Sequence, residues 1–139
     1  MESVQIKEYM NHYPVTFTED MSVEEASLRF LKTKQIGGPV IDKHNRLIGF
    51  LSESDVLAKM LESIYYNEQI ANVSDIMVSE PKTAKPYESI MELGQQMLRT
   101  THKVYPVVDE DGYLLGSVCR NDVLIAIDKH MRSHFDKSA

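Results

Sequence analysis

Two stretches of the chain repeat the same succession of apolar spacings. Val23, Ala26 and Phe30 recur at helical intervals behind Ser22-Val23-Glu24-Glu25, and Ile90, Leu93 and Met97 behind Ser89-Ile90-Met91-Glu92. Both openings read S-x-x-E, the pairing that satisfies orphan amide donors at a helix start. Short apolar runs follow in each stretch. Pro39-Val40-Ile41 leads through the polar turn Asp42-Lys43-His44-Asn45 to Leu47-Ile48-Gly49-Phe50-Leu51. Tyr105-Pro106-Val107-Val108 leads through Asp109-Glu110-Asp111-Gly112 to Leu114-Leu115-Gly116-Ser117-Val118. Each reads as a β-hairpin. Extended pieces precede the first helices (Val15-Thr16-Phe17 and Lys82-Thr83-Ala84), and final helices begin near Ser52 and Cys119. The predicted order is β-α-β-β-α, twice. Residues Glu62 to Asn72 join the halves, partly as helix extension.

The resemblance between the halves is a true internal repeat. Setting Met10 on Met77 superimposes 6–57 on 73–124 without a gap. Identical pairs include Pro14/Pro81, Thr16/Thr83, Pro39/Pro106, Val40/Val107, Asp42/Asp109, Gly49/Gly116 and Asp55/Asp122. Others keep their type, such as Phe30/Met97 and Leu51/Val118. Each unit alone is marginally small for an independent core, so the two are expected to pack together, with 1–68 and 69–139 as their extents.

Composition narrows the function classes. The chain has 139 residues, 42% hydrophobic and 26% charged, ordinary values for a globular protein. A single cysteine, Cys119, excludes an intrachain disulfide. The opening Met1-Glu2-Ser3-Val4 lacks the apolar core of a secretory signal, and no apolar run reaches bilayer length. A cytoplasmic protein with no membrane partner is expected. The net charge of −6 and the scattering of Lys and Arg argue against nucleic acid.

Four marks in each copy resemble the CBS domain, named for cystathionine β-synthase, over about residues 6–128. Met10 and Met77 stand before the opening proline. Pro39-Val40-Ile41-Asp42 and Pro106-Val107-Val108-Asp109 are similar to the family's P-V-h-D, where h is an apolar residue. Leu47-Ile48-Gly49 and Leu114-Leu115-Gly116 are similar to its L-h-G. Gly49-Phe50-Leu51-Ser52-Glu53-Ser54-Asp55 matches G-h-x-[ST]-x-x-D. The resemblance implies a stand-alone, bacterial-type tandem pair of α+β class. Its two CBS domains would pack sheet to sheet around a pseudo-twofold axis, with clefts between them that take AMP, ADP, ATP or a related adenosyl ligand.

The final motif makes physical sense. Ser52 is placed as helix N-cap, and helix N-termini favour anions. An ionised carboxylate is acceptor-only and can take both ribose hydroxyls, so Asp55 and Asp122 are the expected ribose ligands. Ser52 would add a hydroxyl to ribose or phosphate. By resemblance, the adenine slot comes from Ile36 to Val40 (Gly37, Gly38 and Pro39 among them) and from Val104, Tyr105 and Pro106, helped by Thr16 and Thr83. Gly37 and Gly38 leave the first slot open, while Tyr105 narrows the second and is placed to stack on a base. The copies differ at Gly116-Ser117-Val118-Cys119-Arg120-Asn121-Asp122, where Cys119 replaces Ser or Thr. Arg120, Lys103 and His102 nonetheless favour a phosphorylated ligand near Asp122, and that site is expected to fill first. The intact motif favours Asp55, and basic residues of one copy can serve the other copy's aspartate.

Other constellations carry less. Cys119 with His102 lacks any further mark of a cysteine hydrolase. His130 and His134 share a helix face without a metal motif, and Asp109-Glu110-Asp111 is turn chemistry. No catalytic residue, metal or required cofactor is expected. The stripe Val56, Leu57, Met60, Leu61, Ile64 and the all-apolar Val123-Leu124-Ile125-Ala126-Ile127 exceed what one buried helix face needs and point to a homodimer. The expected role is a regulatory, energy-sensing module that signals to an unknown partner protein. The alternative is a ligand-independent dimerisation or scaffolding module with degenerate sites.

Overall fold

A computed structural model describes residues 4–69 and 71–138. Met1 to Ser3, where the lack of a leader was read, lie outside the described residues. A 3-10 turn, η1 (Ile6–Glu8), precedes α1 (Val23–Thr33), β1 (Gly37–Ile41), β2 (Leu47–Ser52) and α2 (Glu53–Tyr66). The second half holds α3 (Val73–Ile76), α4 (Ile90–Arg99), β3 (Val104–Val108), β4 (Leu114–Cys119) and α5 (Arg120–Ser138). The fold is α+β, as expected.

Local chemistry accounts for the element boundaries. Ser22 and Ser89 accept from the amides of Glu25 (3.0 Å) and Glu92 (3.3 Å), capping α1 and α4. Lys34 and Asn67 end α1 and α2 in the left-handed conformation, at φ 58° and 54°. In the hairpin turns, Asp42 Oδ1 accepts from His44 (2.8 Å) and Arg46 (3.0 Å), and Asp109 Oδ1 from Asp111 and Tyr113, both at 2.9 Å. These carboxylates fold their own turns, which is why Asp and Gly cluster there. Asn45 and Gly112 take the positive φ that each turn demands, 67° and 87°.

The hairpins β1–β2 and β3–β4 are antiparallel, each with a register shift before its turn. The predicted leading strands shrink to one residue apiece. Phe17 bridges Val40 and Ala84 bridges Val107, both in parallel. The chain then turns away at once: Met21 N donates to Thr18 O at 3.2 Å and Glu88 N to Lys85 O at 3.1 Å.

The two repeats exchange their opening segments. Ile6 N donates to Glu88 O and Ile90 N to Val4 O, both at 2.9 Å, tying the first repeat's start to the second repeat. The equivalent bonds run the other way, from Val73 N to Met21 O (2.8 Å) and Val23 N to Ala71 O (2.9 Å). Ile6 accordingly lies in a core with Ala84, Ile90, Leu93, Met97, Tyr105, Val107 and Val118. Val73 completes the core of Phe17, Val23, Ala26, Phe30, Val40 and Leu51. Asn11 pairs with Ser117 of β4, and Val78 with Phe50 of β2. The pair is thus one cross-built unit, and neither core is complete without the other repeat. The turns meet as well: Leu47 N donates to Gly112 O and Leu114 N to Asn45 O, both at 3.0 Å. Among the described residues, no helix is long and apolar enough to cross a membrane.

Candidate functional site

A cleft of about 650 Å³ opens between the repeats, a size that suits a nucleotide-sized molecule. From the first repeat it is lined by Ile36 and Gly37 at the start of β1, Phe50 of β2, and Ser52, Glu53, Ser54 and Asp55 where β2 passes into α2. From the second it takes Val78 and the run Thr101, His102, Lys103 and Val104 between α4 and β3. One wall therefore holds the Glu53 and Asp55 carboxylates at a helix N-terminus and the other the Lys103 cation. Ile36, Phe50, Val78 and Val104 add apolar side chains to the same lining.

The α2 start is built by Ser52. Its hydroxyl accepts from Asp55 N at 3.1 Å, while Glu53 N donates to Ile36 O at 3.0 Å. No described residue donates to the Asp55 carboxylate, which stays half-buried at the cleft edge. It is therefore available to accept from a ligand.

The start of α5 is built differently. A thiol is a weak hydrogen-bond partner, and the Cys119 sulfur is engaged by the Asp122 and Asn121 amides and the Asp122 carboxylate. The Asp122 carboxylate also turns back, and its Oδ2 accepts from Cys119 N at 2.9 Å, a different donor from the one that Ser52 holds in α2. The carboxylate half of a capping box is thus made in α5 and not, among the described residues, in α2. Burial, together with the nearby Asp122 carboxylate, pushes the Cys119 thiol up from its ordinary value.

A CBS domain family model matches residues 6–62 and 73–129. The chain belongs to the CBS domain family. It is 32% identical over 120 residues to the uncharacterized protein MJ1225 of Methanocaldococcus jannaschii, covering 86% of this chain and 41% of that one. It is 28% identical over 156 residues to MJ1426 of the same organism, covering 91% and 92%. This chain thus spans about two fifths of the first relative and nearly all of the second. The solved CBSX2 of Arabidopsis thaliana in complex with AMP superposes with a TM-score of 0.79 at 26% identity, over 91% of this chain and 98% of that one. The CBS domain pair of protein MJ0100, in complex with 5'-methylthioadenosine and S-adenosyl-L-methionine, shares the fold with a TM-score of 0.78 at 21% identity, over 93% and 99%.

Of the residues read from sequence, this CBS pair gathers Gly37, Ser52, Asp55, Lys103 and Val104 around the cleft. Thr16, Gly38, Pro39, Thr83, Pro106, Cys119, Arg120 and Asp122 lie outside its lining. Pro39 and Pro106 are fully buried, and their carbonyls accept from Phe17 and Ala84. Thr83 lines a separate small cavity of about 70 Å³ beside Ile6 and Ser89.

Two expectations are corrected by the packing. Tyr105 is not placed to stack on a base: its ring is 0% exposed. It shares the core-facing side of β3 with Val107, two residues on, and its hydroxyl lies 3.1 Å from Thr100 Oγ1. Nor do Gly37 and Gly38 leave an empty slot. A Cβ on Gly37 would fall 2.7 Å from Phe50 Cζ, so the Phe50 ring occupies that space. Phe50 and Val78 are lining residues that the sequence did not mark. The only hint for Phe50 is that the matching position of the other repeat holds Ser117.

Proposed function

We propose that this CBS pair is a regulatory module that binds an adenine nucleotide in the cleft at Asp55. The carrying observation is that the Asp55 carboxylate, to which no described residue donates, lines one cavity together with the Thr101-His102-Lys103 run of the other repeat. The carboxylate suits vicinal ribose hydroxyls. Ile36, Phe50, Val78 and Val104 suit the purine faces, and Lys103 with the α2 N-terminus suits phosphate. Lys103 and His102 line the cleft of Asp55, so the charge argument made for Asp122 transfers to the first repeat's aspartate. The AMP complex of CBSX2 supports the ligand class. AMP, ADP, ATP and S-adenosylmethionine are the candidates.

The module acts by binding rather than catalysis, in the cytoplasm, without a required cofactor, and passes its state to a separate protein. It works as a homodimer. Leu57 of α2 is 61% exposed, Ile64 78% and Leu124 of α5 63%, an apolar excess that a second copy would cover. Sedimentation tests this: a monomer at micromolar concentration rejects the dimer.

Thermal-shift titration tests the ligand. A saturating adenylate at a hundred times its Kd should stabilise the chain by about 2.7 kcal/mol, GMP far less, and Asp55→Ala should abolish the shift. Equal shifts with Asp55→Ala would reject the assigned site. No shift with any of the four compounds would favour a ligand-independent scaffold.

A further inference from the structure

We infer that a second copy docks with unlike repeats in contact, so that the α1–α2 face of each chain covers the α4–α5 face of the other. The inference deepens the homodimer reading and rests on it. The repeat itself defines the surface. Leu31 and Leu98 stand at matching positions, as do Leu57 and Leu124, and all four are more than half exposed. Leu31 and Leu57 line a groove of about 330 Å³ between α1 and α2, together with Phe30, Val56, Met60 and the exposed Glu53. Each repeat thus presents the same pair of leucines on its helix pair, an apolar surface that calls for a cover.

The leucines alone allow two closed dimers. Under a twofold axis each repeat meets either its like in the second copy or the other repeat. Charge separates the two. At two matching positions the final helices carry opposite signs: Glu53 in α2 against Arg120 in α5, and Glu62 against Lys129, all four exposed. The α2 helix carries Glu53, Asp55 and Glu62 against Lys59, and Lys59 is shared between Glu62 at 3.6 Å and Glu68 at 3.4 Å. Through Arg132, α5 carries Arg120, Lys129 and Arg132 against Asp122 and Asp128. Arg132 is held by Asp128 at 2.9 Å, and Lys129 lies 6.0 Å from the Tyr9 ring, which leaves its charge unneutralised. Pairing like repeats sets acidic α2 against acidic α2 and basic α5 against basic α5. Pairing unlike repeats sets an acidic helix against a basic one, twice per dimer. Like charges brought together across an interface select against the first arrangement. The second copy is thereby seated beside the nucleotide cleft, because Glu53 and Ser54 line both cavities.

Two measurements on the full chain test this. The first is cross-linking with a short bismaleimide in a Cys119→Ser background, using Leu57→Cys and Leu124→Cys, both at exposed positions. A mixture of the two variants, left to exchange subunits, should give covalent dimer, and each variant alone should give none above background. Covalent dimer from either variant alone overturns the inference while the homodimer reading stands. So does the absence of any cross-link in a chain that sediments as a dimer. A monomer at micromolar concentration overturns both. The second measurement is the dimer Kd of Glu62→Lys, from sedimentation. Pairing of unlike repeats predicts a dimer weaker by about twofold to tenfold, the scale of one or two exposed ion pairs. Pairing of like repeats predicts a tighter dimer, since the change relieves repulsion between two acidic helices. An unchanged or tighter dimer overturns the charge argument and the inference with it.

Discussion

The Met77 sulfur lies over Gly49, so close that a Cβ at Gly49 would fall 2.6 Å from Sδ and 2.9 Å from Val78 O. The matching Gly116 faces the Asn11 carbonyl in the same manner. The glycine of L-h-G and the methionine before the opening proline are therefore one device. Each glycine lets the other repeat's opening segment cross the hairpin, and the bridges Phe50–Val78 and Asn11–Ser117 form at those crossings. Either Gly49→Ala or Gly116→Ala should destabilise the fold by about 1–3 kcal/mol, the usual cost of overpacking. Gly116→Ala should be the worse, because the Asn11 carbonyl would lie 2.4 Å from its Cβ, whereas at Gly49 the backbone obstacle, Val78 O, lies at 2.9 Å and the Met77 side chain can bend away. Urea unfolding measures both.

Tyr105→Phe should cost about 1 kcal/mol, through loss of the 3.1 Å contact with Thr100. AMP affinity should not change, because the ring lies inside the core. A matched pair of denaturation and binding curves checks this. A loss of affinity at full stability would place the residue in the cleft after all.

Lys103→Ala should separate phosphate from nucleoside. A charge-assisted contact to phosphate implies about tenfold weaker AMP binding, while adenosine binding stays the same. Raising the salt concentration should weaken AMP binding to the wild type more than to the variant. Competition titrations at two ionic strengths read both effects.

The Cys119 thiol should react slowly at neutral pH. Burial favours its neutral form, so the thiolate fraction is suppressed until the pH rises beyond the ordinary thiol range. The rate of iodoacetamide labelling against pH should rise later than that of a free cysteine peptide. Asp122→Ala, which removes a neighbouring negative charge, should shift the profile toward lower pH.

Much of the fold was legible because local chemistry decides it. Ser22 and Ser89 cap helices in the structure, and the Asp42 and Asp109 turns lie where polar clusters interrupt apolar runs. The exchange of opening segments was not legible. Ile6 and Val73 are equally apolar, and nothing in their spacing says which repeat's core they enter. The facing of Tyr105 was open to a period-two argument, since Val107 shares its side of the strand. The cleft itself joins residues far apart in sequence, so Lys103 could be assigned to Asp55 only once the repeats were packed. Cys119 at a cap position was the visible sign that the two aspartates differ; the carboxylate's turn back to its amide needed coordinates.

The central claim is a nucleotide seated at Asp55, and a crystal structure grown with excess AMP tests it most directly. The account predicts ribose hydroxyls within hydrogen-bond distance of the Asp55 carboxylate, phosphate toward Lys103, and Asp122 still bound to the Cys119 amide. AMP density at Asp122 with the Asp55 cleft empty would contradict it.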